Sequence, residues 1–158
     1  MERWIKASVA AGKFEVFMMS TVQSLGRLDL VLSEQSNTLV GRFPAERESM
    51  EFSREMNDHM TLAYLWVLGA YEILRSIAQR LRMQPKRFKE AKAYFERIRI
   101  PLAKYEPAKK YASTDSAVAY PIFHFQHGVG WQVNQSTVFT RSELSREFLE
   151  GLESLIST

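Results

Sequence analysis

Met60-Thr61-Leu62-Ala63-Tyr64-Leu65-Trp66-Val67-Leu68-Gly69-Ala70-Tyr71-Glu72-Ile73-Leu74-Arg75-Ser76-Ile77-Ala78 is the stretch on which the fold turns. Met60, Val67, Leu74 and, just beyond it, Leu81 recur every seven residues, and Ala63, Tyr64, Ala70, Tyr71, Ile77 and Ala78 fill the steps between them. Leu62, Leu65, Trp66 and Ile73 add apolar surface to the opposite side. A helix apolar on most of its circumference is buried on most of it, so this segment is expected to be a central post.

Working outward, Pro44 is expected to open this helix, because its missing N–H costs nothing in a first turn, and Glu46, Glu48 and Glu51 suit the positive end of the helix dipole. The helix is predicted over 44–82, stopped by Pro85. The same Pro85 opens a third helix over 85–105, striped by Phe88, Ala91, Phe95, Ile98, Leu102 and Tyr105 and expected to kink or restart near Pro101. On the N-terminal side, Phe14, Phe17, Thr21, Val22, Leu25, Leu28 and Leu32 predict a helix over 13–35, weakened by Gly12 and Gly26 and ended by Ser36, Asn37 and Gly41. Residues 117–140 are rich in Val, Phe, Tyr and Trp and predict a β-hairpin of two or three short strands, with Gly128-Val129-Gly130 serving a turn that needs positive φ. Thr140-Arg141-Ser142-Glu143 has capping-box spacing, and Leu144, Phe148, Leu152 and Leu155 continue it as a helix over 141–156. The expected fold is mainly α: one domain over 1–158, a four- or five-helix bundle with a C-terminal β-hairpin packed on it.

The chain contains no cysteine, which removes disulfides, thiolate chemistry and cysteine-ligated metals together. No apolar run reaches membrane-spanning length, and Met1 to Ala11 shows no apolar core with a cleavage site, so a soluble, cytoplasmic protein is expected. His59, His124 and His127 are the whole imidazole inventory, too few and too scattered for a metal site, and no cofactor is expected. No serine sits in a nucleophile elbow.

Charge is more informative. Residues 75–111 hold twelve Lys or Arg against three Glu, an excess of nine in a chain of net charge +3, so the remainder carries minus six. Six of the cations, Arg80, Arg82, Lys86, Arg87, Lys89 and Lys92, cluster at the tip of the expected antiparallel helix pair and form the candidate polyanion-binding set. The acids Glu46, Glu48, Glu51, Glu55 and Asp58 are expected at the far end, neutralising Arg97, Arg99 and Lys104, with none reaching the tip.

The long helix carrying Leu65-Trp66-Val67-Leu68-Gly69-Ala70-Tyr71-Glu72-Ile73-Leu74, followed by an antiparallel partner, resembles the small prokaryotic HEPN-type bundles over about residues 14–105. That resemblance implies RNases of toxin and defence systems or their non-catalytic relatives, and a homodimer. Catalytic members carry an Arg, four to six residues, then a His; Arg54 and His59 have that spacing, whereas Arg99 is followed by Tyr105. Tyrosine, with a reference pKa near 10, cannot replace histidine as a proton carrier at neutral pH. The expected function is therefore a non-catalytic binding or regulatory module contacting RNA or an acidic protein through the basic tip, with a HEPN-like RNase using Arg54 and His59 as the alternative. Phe14, Val16, Phe17, Met18 and Met19 offer the apolar width for self-association.

Overall fold

The computed structural model describes residues 1–124 and 128–156, the side chains of Pro44 and His124 excepted. Helices α1 (Glu2–Gly12), α2 (Phe17–Glu46), α3 (Met50–Arg80) and α4 (Lys86–Lys104) lead through a 3₁₀ turn at Lys109–Tyr111 to strands β1 (Tyr120–His124), β2 (Gly128–Asn134) and β3 (Thr137–Thr140), and α5 (Arg141–Glu153) closes the fold. The strands form one antiparallel sheet in the order β1-β2-β3, with Pro121 opposite Trp131 and Trp131 opposite Phe139. This is the mainly helical bundle with a C-terminal sheet that the sequence predicts. No helix among the described residues is long and apolar enough to cross a membrane.

The central post is α3. Trp66 is fully buried at its middle, its ring 6.3 Å from Trp4, 6.2 Å from Phe95 and 6.4 Å from Phe148, so helices α1, α4 and α5 meet on one side chain. Its Nε1 donates to the Leu25 carbonyl at 3.0 Å, satisfying the one polar atom that burial would otherwise penalise. Its second apolar side is less covered than the pattern implies: Trp66 and Ile73 are buried, whereas Leu62 and Leu65 stay 36% and 52% exposed.

The N-terminal region departs most from expectation. The predicted helix over 13–35 is two helices: α1 ends at Gly12, and α2 starts at Phe17 and continues through Ser36, Asn37, Gly41 and Pro44 to Glu46. The glycines read as weak points are close-approach points instead. A Cβ on Gly26 would lie 2.6 Å from the Trp4 ring, and one on Gly12 would lie 2.4 Å from the Met19 side chain, so their absence lets α1 lie antiparallel along α2. Ser36 does not break α2 because it is buried where the sheet comes down on it: a Cβ on Gly128 would overlap its hydroxyl. Pro44 falls in the last turns of α2, and Ser49 starts α3, its side chain accepting from the Phe52 N–H at 3.4 Å.

Elsewhere the local chemistry follows the sequence, except at Pro101 and Tyr105. Pro85 flanks α4 as its N-cap, and Pro101 sits in the last turn without starting a new helix, since few hydrogen bonds remain there to lose. Tyr105, expected on the apolar stripe, instead ends α4 in the left-handed conformation at φ 57°, which turns its ring out to 72% exposure. Gly128 has the positive φ, 69°, expected of the hairpin turn. Thr140 and Glu143 make both bonds of the capping box, at 3.2 Å and 3.1 Å, which fixes where β3 gives way to α5.

Candidate functional site

The corner where α3 turns into α4 gathers the six predicted cations, and the bundle treats them differently. Arg87 is half-buried and engaged by α5: its guanidinium meets Glu147 at 2.7 Å and Glu150 at 2.5 Å. The expectation that no acids reach this corner is thus corrected. Packing of α5 on α4, with Gly151 close against Ala91, carries Glu147 and Glu150 there from sequence positions sixty residues away. Lys92 pairs with Glu96 one helical turn on, at 3.0 Å. Arg80, Arg82, Lys86 and Lys89 remain exposed. Arg80 donates to the Ser76 carbonyl, and Lys86 stands 3.8 Å from Glu90 with its side chain 92% exposed, a separation at which solvent screens most of the attraction. Met83, 81% exposed, lies between them.

The second expected neutralisation is also redistributed. Arg97 makes a bidentate pair with Asp115 at 2.7 and 2.8 Å and stacks over Tyr111 at 4.0 Å, and Arg99 lies over Tyr71. Glu46 and Glu55 instead share Arg42. Asn134 donates to Asp115 as well, so Arg97 and Asp115 tie α4 to the β2–β3 turn. Hydrogen bonds from Arg97 hold the Asp115 carboxyl below the usual range.

The Arg54 and His59 pair is not brought together. Five residues apart on one continuous helix, their side chains diverge by about 140°; Arg54 is exposed, and His59 is 2% exposed and turned toward α2. Its Nδ1 lies 3.2 Å from Gln35 Oε1. Its Nε2 is buried without a hydrogen-bond partner. Burial, reinforced by the charge of Arg141, lowers the ring's pKa to about 4. His127 lies outside the described residues, as does the side chain of His124, and among the described residues no group of three or more His, Cys, Asp or Glu could hold a metal ion.

Two features had no reading in the sequence. Arg141, the first residue of α5, is buried against Asp29 of α2 and donates to Ser33 Oγ at 2.8 Å, while Ser145 donates to the other Asp29 oxygen at 2.9 Å. Burial pushes the Asp29 carboxyl up and the Arg141 guanidinium down, each against the pull of its partner. A cleft of about 440 Å³ between α2 and α3 is the other, with His59 on its wall and Glu34, Glu55 and Asp58 around it. Capping-box residues announced the helix bearing Arg141, but nothing local announces which carboxylate it meets across the fold.

Fold and surface together define a small helical domain, closed by a three-stranded sheet, that presents four exposed cations at one corner. No family model, curated protein or solved structure matches the chain.

Proposed function

We propose that the protein is a non-catalytic binding module whose α3–α4 corner contacts a polyanion, RNA or DNA, through Arg80, Arg82, Lys86 and Lys89. One observation carries the reading: the acids that reach this corner from α5 are spent on Arg87, and four cations within ten residues keep their charge facing solvent. Aromatic side chains do not join them, since Phe88 and Phe95 are in the core, so the contact is to phosphate rather than to bases. The non-catalytic half of the reading is supported by His59, which is buried, uncharged at neutral pH and turned away from Arg54.

The test is fluorescence anisotropy with single-stranded RNA and duplex DNA, comparing the protein with a variant in which Arg80, Arg82, Lys86 and Lys89 are all Gln. Affinity is expected to fall by about 10-fold or more, with a melting temperature close to the parent's, because exposed charges contribute little to folding. Mixed RNA should stay intact on incubation; cleavage abolished by His59→Ala would replace this reading with that of an RNase. Self-association belongs to the same proposal. Val16 and Phe17, at the α1–α2 junction, are 63% and 76% exposed, and light scattering should give a dimer that Phe17→Ser dissociates. A monomer at high concentration would remove that part.

A further inference from the structure

At the level of Tyr64, about 24 Å along α3 from Arg80, an open groove lies between α3, the end of α4 and the sheet. Its volume of about 500 Å³ is within the range of small-ligand sites. Met60 and Tyr64 border it from α3, Leu102 and Tyr105 from the end of α4, and Pro121 from β1, with Trp131 of β2 the most deeply buried of the six. Among the described residues no charged side chain lines it, and Lys104 and Glu106, on either side of Tyr105, stand 3.8 Å apart and offset each other. The sign of a missing partner is the Trp131 indole. The residue is 2% exposed, and its Nε1–H, which can only donate and has no alternative tautomer, meets no acceptor among the described residues. Trp66, also buried, gives the same proton to the Leu25 carbonyl. The unpartnered side-chain polar atom that is sealed from solvent among the described residues is His59 Nε2, so the Trp131 N–H keeps an open side, and the open space that Trp131 borders is this groove. Tyr105 holds its ring at the rim from a left-handed backbone, φ 57°, a conformation that costs any residue with a Cβ and is usually left to glycine.

We propose that this groove binds a small uncharged ligand, an apolar ring body carrying one hydrogen-bond acceptor such as a carbonyl. The body lies against Met60, Leu102 and Pro121, and the carbonyl oxygen accepts from Trp131 Nε1–H, the buried donor that the fold itself leaves open. A charged ligand loses its hydration and finds no counter-charge in the lining. A ligand without an acceptor covers the groove but leaves the indole N–H desolvated and unpaired, so it binds more weakly than its carbonyl counterpart. The site stands apart from the α3–α4 corner and does not rest on the polyanion reading.

The test follows the three tryptophan indole N–H signals of the intact protein by nitrogen-15 NMR, that of Trp131 assigned by its proximity to Pro121, which faces it across the sheet. Three probes are titrated: 1-indanone, a bicycle with a carbonyl; indole, a bicycle of similar size that donates but has no carbonyl; and benzoate, which is charged. 1-Indanone is expected to shift the Trp131 signal saturably and to slow exchange of that N–H with water, while the Trp4 and Trp66 signals stay in place. Indole should bind at least about 10-fold more weakly, and benzoate should not saturate. Thr61→Phe places a ring in the groove from an exposed position on α3, so it should weaken 1-indanone by about 10-fold with a melting temperature close to the parent's. No saturation by 1-indanone at about 5 mM, an unmoved Trp131 signal, indole binding as tightly as 1-indanone, or equal binding by the Thr61→Phe variant overturns the proposal. Nucleic-acid affinity at the α3–α4 corner should be the same in that variant, so failure at the groove leaves the corner's role standing and the converse also holds.

Discussion

His59 shows how one buried side chain sets a pH dependence. In the folded protein its pKa lies at about 4, against 6.5 for an unperturbed histidine, because burial and Arg141 both oppose the charged form. As pH falls below 6.5 the unfolded chain binds a proton that the folded chain refuses until about 4. Stability from this residue is therefore complete above 6.5 and is lost across that window, by up to about 3 kcal/mol. Urea unfolding of the parent and of His59→Leu at about pH 7.5 and about pH 4.5 measures this directly. The parent should lose more stability than the variant on acidification; parallel losses would contradict the assignment. Asp29, whose carboxyl burial raises, contributes with the opposite sign in both proteins and cancels in the comparison. The sequence shows His59 one turn from Glu55 and five residues from Arg54, but its burial is decided by α2 lying across it, and no local pattern encodes that neighbour.

Helices α1 and α2 place the same lesson at the scale of elements. Seven-residue recurrence was enough to read the body of α3 and Pro85 the start of α4, whereas Pro44, read as opening α3, belongs to the end of α2; Thr140 and Glu143 were enough to read the start of α5. The boundary between α1 and α2 was not legible, because Phe14 and Phe17 continue the apolar stripe across the break and Gly12 and Gly26 look like helix breakers in isolation. Only the partner helix reveals that their missing Cβ atoms make room for Met19 and Trp4. Substitution separates the two meanings of a helical glycine. Gly26→Ala should destabilise by about 1–3 kcal/mol, since a methyl group meets the Trp4 ring in a filled core. Gly41→Ala meets nothing within 4 Å and should stabilise by about 0.5–1 kcal/mol by restricting the unfolded chain. Denaturation midpoints that move in the same direction for both would show that the close packing of α1 on α2 is not what Gly26 is for.

For the molecule as a whole, the excess of nine positive charges over residues 75–111 is sorted by the fold into cations used for structure and cations left over. Arg87 is held by Glu147 and Glu150, Arg97 by Asp115, and Arg99 lies against Tyr71, so each cross-braces two parts of the bundle. The six-residue cluster was visible in the sequence, but its division was not, because the acids that claim Arg87 arrive on α5, far along the chain. What remains, Arg80, Arg82, Lys86 and Lys89, is an electrostatic contact with no aromatic component, and such a contact has one signature that a specific, dry interface does not share. Each phosphate neutralised releases counterions, so the logarithm of the association constant falls linearly with the logarithm of salt concentration, by about 0.7 per contact on a single strand. The most direct measurement is this slope for single-stranded RNA, taken for the parent and for the protein with all four residues changed to Gln. The account predicts a parent slope of about −2 to −3 that collapses toward zero in the variant. An unchanged slope in the variant, or a parent that binds without salt dependence, would place the contact elsewhere and contradict it.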